Sequence, residues 1–114
     1  MTRILCVEDE ETLRRDLMDY MALQGFQVEG VRDAQSTIDI LDGNYCPDVI
    51  LLDINLPDGN GFDLAEQVRA RTQCGIIMLT ADGDIESRVR GFESGADIYL
   101  VKHTSLREIS AAVQ

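Results

Sequence analysis

Five short apolar runs punctuate this chain, and each is followed by a segment in which apolar residues recur every three or four positions. The runs are residues 3–7 (RILCV), 26–31 (FQVEGV), 48–52 (DVILL), 75–80 (GIIMLT) and 98–101 (IYLV). Between them, Leu13, Leu17 and Met21 stripe a helix over 10–24, and Ala34, Ile38 and Leu41 a short one that stops near Asp42-Gly43-Asn44. Phe62, Ala65 and Val68 mark a third helix. Ile85, Val89 and Phe92 mark a fourth ended by Gly95, and Leu106, Ile109 and Val113 a fifth. Such spacing is the signature of one buried helical face. Apolar strands separated by amphipathic helices imply a parallel sheet covered on both sides, because each parallel strand needs a crossover to return.

Right-handed crossovers leave few topologies for five such units. The pattern predicts a doubly wound, flavodoxin-like (βα)5 sandwich of three layers, with strand order 2-1-3-4-5. At 114 residues there is room for one domain and no second. Neither repeats nor low-complexity segments interrupt it. The last helix runs to Gln114, which suggests an N-terminal piece of a longer chain.

Composition removes several function classes. No apolar run approaches the about 20 residues that span a bilayer. The opening MTRILCVEDE is too short and too acidic for a signal peptide. Cys6, Cys46 and Cys74 lack metal-ligand spacing, and an odd count argues against a disulfide framework. A cytoplasmic protein is expected. The formal net charge of −11 should repel nucleic acid and anionic membranes.

A sheet of this order binds ligands beyond the carboxyl ends of its strands, near the switch point between strands 1 and 3. Strand 1 ends in Glu8-Asp9, strand 3 in Asp53, strand 4 in Thr80 and strand 5 in Lys102. Taken singly, each has a plain structural role. An acidic residue after a strand can cap the next helix, as Asp9 or Glu10 would. Together they are harder to dismiss, because three clustered carboxylates repel one another unless a cation neutralises them. Oxygen donors favour Mg²⁺, or Mn²⁺ in its place, over zinc. A carboxylate beside such an ion can act as nucleophile toward a phosphoryl group, with lysine and threonine pairing its oxygens.

The pieces ILCVEDE, PDVILLDINLPDGNGFDL, IIMLTA and GFESGADIYLVK, in this order, resemble the receiver domain of two-component response regulators over the whole length. The resemblance implies that Asp53 accepts phosphate from a histidine kinase, the domain being a phosphoacceptor rather than an enzyme in its own right. It implies that Glu8 (through water), Asp9, Asp53 and the backbone carbonyl of Asn55 hold the metal. Thr80 and Tyr99 become the switch pair, and Lys102 the phosphate-binding lysine. SRVRGFESGADIYLVK is most similar to regulators with a winged-helix DNA-binding output domain. Phosphorylation would shift the face made by the fourth helix, fifth strand and fifth helix.

Other classes fit less well. An aspartyl-nucleophile phosphatase wants a second acid two residues after the nucleophile, where this chain has Asn55. A flavin mononucleotide protein wants a phosphate loop after strand 1, where EDEE would repel the phosphate. A phosphate-independent interaction module would have no use for the complete acidic pocket. Asp58 reads as a turn residue and His103 as a loop residue.

Several positions depart from the family pattern. Winged-helix relatives usually carry Asp where this chain has Ile98, and arginines late in the last helix where ISAAVQ has none. Arg88, Arg90, Glu93, Asp97, Arg107 and Glu108 are left for charged contacts in a phosphorylation-promoted homodimer. In the family the positions held here by Asn55 and Asp82 border the route of hydrolytic water, and the resemblance therefore implies that these polar residues orient that water and that phosphate is lost rapidly. The lysine is usually followed by a cis proline; here Lys102 precedes His103, and a trans bond is expected because a cis one before histidine costs roughly 3 kcal/mol.

Overall fold

The computed structural model describes residues 2–80, 89–90, 93, 95–101 and 106–113. Its main sheet takes β1 (Arg3–Val7), β2 (Gln27–Val31), β3 (Val49–Leu52), β6 (Gly75–Thr80) and β7 (Ile98–Val101) in the order β2-β1-β3-β6-β7, every pair parallel. That is the expected 2-1-3-4-5 arrangement. The helices α1 (Glu11–Leu23), α2 (Ala34–Asp42), α3 (Gly61–Arg71) and α4 (Leu106–Val113) each contain the apolar stripe expected of them. Of the helix expected through Ile85, Val89 and Phe92, the described residues Val89, Arg90 and Glu93 are helical, while Ile85 and Phe92 lie outside the description. Among the described residues, no helix is long and apolar enough to cross a membrane.

Period-two alternation sorts the strands into two cores. Leu5, Val7, Ile50, Leu52, Ile76 and Met78 face one way and pack with Phe62, Leu64, Ala65 and Val68 of α3. Ile4, Cys6, Leu51, Ile77 and Leu79 face the other way, onto Leu17 and Met21 of α1 and Ile109 of α4. Burying a side chain such as Leu17 or Met21 stabilises the fold by about 1.5–3 kcal/mol. Burial also pushes the Cys6 thiol up to about 12, so it behaves as a small apolar residue. The chain leaves α1 through Gly25 at φ 94°, where the Gly25 and Phe26 amides close back onto the Ala22 and Met21 carbonyls at 3.0 and 3.2 Å.

One element was absent from the sequence reading. The stretch after Asp53, expected as a simple turn, forms a small antiparallel hairpin of β4 (Asn55–Leu56) and β5 (Gly59–Asn60). Pro57 and Asp58 are its two loop residues, and Leu56 is buried in the α3-side core. At the opposite end of the sheet, Arg69 of α3 donates to the Cys74 and Gly95 carbonyls at 2.6 and 2.7 Å and to Asp97 at 3.0 Å. Asp97 in turn accepts the Ile76 amide at 2.8 Å. Both members of the ion pair are partly solvated, so it fixes geometry more than it adds stability.

Candidate phosphoacceptor and metal site

Strand register alone brings the first two carboxylates together. Val7 of β1 pairs with Leu52 of β3, so Glu8 and Asp53 leave their strands side by side. Each keeps a ladder-like bond as it leaves: the Glu8 amide donates to the Val31 carbonyl at 3.0 Å and the Asp53 amide to the Val7 carbonyl at 3.2 Å. Both residues are 2% exposed, whereas Asp9 is open to solvent. One carboxylate oxygen from each of Glu8, Asp9 and Asp53 lies within 4.8 Å of the others.

The local bonds orient these groups. Glu8 accepts the Glu10 amide on Oε2 at 3.1 Å, and Asp53 accepts the Asn55 amide on Oδ1 at 3.3 Å. Glu10 occupies the N-cap position of α1 but makes no side-chain capping bond. Arg14 reaches back from α1 to donate to the Glu8 carbonyl at 2.9 Å. No pattern in one sequence marks a side chain that seizes a backbone carbonyl six residues upstream. Gly61, which starts α3, passes so close to the end of β3 that a Cβ would strike the Asp53 carbonyl oxygen and stand 2.8 Å from the Ile54 Cα.

Of the other expected site residues, Asn55 opens β4 two positions beyond Asp53 and is exposed. Thr80 is the last residue of β6, in register with Val101, and Tyr99 sits in β7 opposite Met78. Where the side chains of Thr80 and Tyr99 point lies outside the description. Lys102, Asp82 and the Lys102-His103 peptide bond fall outside the described residues. Asp58 is a loop residue, as expected, yet its carboxylate accepts the Ala34 and Gln35 amides at 2.8 and 3.0 Å. Of the charges left for a dimer contact, Asp97 is engaged by Arg69, and the Arg90 guanidinium stands 4.6 Å over the Phe62 ring.

The donor set fits a hard divalent cation. Three carboxylates this close, two of them buried, repel one another, a bound cation would offset that repulsion, and oxygen-only ligands suit Mg²⁺-like ions.

A profile of the family described as the response regulator receiver domain matches residues 4–114. The chain belongs to that family. This receiver domain is 41% identical over 112 residues to the transcriptional regulatory protein SrrA of Staphylococcus aureus, covering 97% of this chain and 46% of SrrA. It therefore spans about half the length of the curated relatives it matches. A two-component response regulator from Clostridium difficile superposes with a TM-score of 0.95 at 27% identity, covering 99% of this receiver and 93% of that chain. The BeF3-activated N-terminal receiver domain of Klebsiella pneumoniae RstA gives 0.91 at 25% identity, covering 98% and 95%. Receiver domains bind a divalent metal at an acidic pocket, and Glu8, Asp9 and Asp53 form such a pocket here.

Proposed function

We propose that this receiver domain takes a phosphoryl group from a histidine kinase onto Asp53 and so controls an output domain that regulates transcription. The observation that carries the reading is a carboxylate 2% exposed at the end of the central strand, clustered with two more. The Glu8, Asp9 and Asp53 carboxylates and the Asn55 backbone carbonyl would hold Mg²⁺, with Mn²⁺ as substitute. When bound, the ion supplies positive charge to the carboxylates and to the incoming phosphoryl oxygens.

An Asp53 oxygen forms a bond to phosphorus as the bond to the kinase's imidazole nitrogen breaks, and that nitrogen takes up a proton. Lys102 and Thr80 pair with the phosphoryl oxygens. Strand β3 holds Asp53 by its backbone, so little reorganisation is needed at the moment of transfer. The added charge draws Thr80 toward the phosphoryl group, and Tyr99 turns into the space it leaves. The face of residues 85–92, β7 and α4 is thereby altered, which promotes self-association. Asn55 and Asp82 flank the phosphoryl group and orient hydrolytic water.

The regulatory output is supported by SrrA, whose name describes a transcriptional regulatory protein. The receiver itself, at a net charge of −11, is not the part that meets DNA or a membrane surface, and its place of work is the cytoplasm. Mass spectrometry after incubation with acetyl phosphate and Mg²⁺ should find one added phosphate on the wild type and none on Asp53→Asn. Retention of the phosphate by that variant would overturn the reading.

A further inference from the structure

Two of the groups proposed for the pocket sit on one short loop. Residues 53–61 carry the Asp53 carboxylate and, two positions on, the Asn55 carbonyl. The base of this loop is well held. The Asp53 amide donates to Val7, the Gly61 amide donates to the Ile54 carbonyl at 2.6 Å, and Leu56 is only 8% exposed. The tip is a two-residue turn closing a hairpin of two residues per strand, and a hairpin so small is not stable alone.

What holds the tip is Asp58. Its Oδ1 accepts the Ala34 amide at 2.8 Å and its Oδ2 the Gln35 amide at 3.0 Å. These are the first two residues of α2, some 24 positions upstream. That helix already has its own cap: Asp33 accepts the Ser36 amide at 2.7 Å, and its backbone carbonyl takes the Thr37 amide. An exposed helix end does not need a second carboxylate, since water can serve its remaining donors. A carboxylate bridging both amides at the positive end of the helix dipole is instead a directional strap.

We propose that Asp58 is a positioning residue for the metal and phosphoryl pocket: its carboxylate straps the hairpin that carries Asn55 to the N-terminus of α2. The inference rests on the pocket proposed above. Ligand groups held by outer partners bind metal more tightly than groups that must be ordered on binding. Cutting the strap frees the hairpin and the Asn55 carbonyl with it, while Glu8, Asp9 and Asp53 keep their strand-end bonds.

The test measures Mg²⁺ affinity by calorimetric titration, together with amide hydrogen exchange across residues 55–60 in metal-free protein. Asp58→Ala should raise the Mg²⁺ dissociation constant about tenfold and speed hairpin exchange, with exchange in β1 and β3 unchanged. Phosphorylation by acetyl phosphate should slow at low Mg²⁺ and recover at saturating Mg²⁺, a change in apparent KM for the metal rather than in kcat. Ala34→Pro approaches the strap from the donor side. Proline is tolerated at the first helical position, and the extended Asp33 (φ −149°, ψ 172°) suits a following proline. It should reproduce part of the affinity loss and add little to Asp58→Ala. Wild-type affinity and exchange in Asp58→Ala overturn the strap. A wild-type protein that binds no Mg²⁺ overturns the pocket itself and this inference with it, and the two failures are told apart by which protein shows them.

Discussion

Gly61 shows how one residue type is demanded by the backbone around Asp53, the proposed phosphoacceptor. The loop returns from its hairpin so closely that any side chain at 61 would collide with the backbone of Asp53 and Ile54. Neither of those atoms can yield cheaply, because the Asp53 and Gly61 amides are tied to Val7 and Ile54. Gly61→Ala should therefore lower the unfolding free energy by about 1–3 kcal/mol, as overpacking does. Displacement of Asp53 from its attack position should cost phosphorylation more, on the order of a hundredfold. Urea titration and acetyl phosphate kinetics on the same preparation check both, and a wild-type rate would count against the close-approach argument. Gly59, by contrast, has open space where a Cβ would go.

Helix α2 illustrates the same logic at the level of an element. Its apolar residues Ala34, Ile38, Ile40 and Leu41 are only partly buried against the α3-side core, so packing contributes less to its placement. The N-terminus is held by polar groups instead. Hydrogen bonding from Ser36, first by its side chain and then by its backbone amide, holds the Asp33 carboxyl below its ordinary value, with the Arg32 guanidinium adding a smaller effect in the same direction. A carboxyl whose folded value is depressed stabilises the fold above its unfolded value and loses that contribution as pH falls through the folded one. The loss belongs below about pH 4. Asp33→Asn, which keeps a capping oxygen but cannot titrate, should match the wild type near pH 7 and flatten the acid limb of the stability curve. Thermal unfolding at a series of pH values measures this, and an unchanged acid limb would show that the cap adds nothing.

For the whole molecule, net charge sets the terms of association. At −11, two copies repel at long range, and any contact through residues 85–92, β7 and α4 must work against that field. Ile98, Leu100, Ala112 and Val113 are only partly buried against the α1-side core, which leaves apolar surface on this face. The BeF3-loaded protein should sediment as a dimer at high micromolar concentration. Added salt should strengthen the association by screening the repulsion. A monomer under both conditions would count against a role for this face.

Much of the architecture was legible before any coordinates, because it follows from local periodicity. The buried runs at 3–7, 48–52 and 75–80, alternating with helical stripes, left few ways to build the sheet, and chain order alone brought Glu8, Asp9 and Asp53 to one edge. Residue chemistry then pointed to a cation and a phosphoryl group. Contacts between positions distant in sequence left no periodic trace. The hairpin of Asn55–Leu56 with Gly59–Asn60 read as a plain turn, since two residues per strand are too few to alternate. Asp58 carries the chemistry of a turn residue whether or not α2 stands within reach, and only the folded chain brings Ala34 and Gln35 against it. Arg14 on the Glu8 carbonyl and Arg69 on Asp97 are likewise long side chains whose partners are chosen by packing. Composition and pattern determined which residues face the core and which end of the sheet is acidic. Tertiary structure decided what holds those acids in place, because a hydrogen bond depends on ångström-scale distances that no spacing in the sequence encodes.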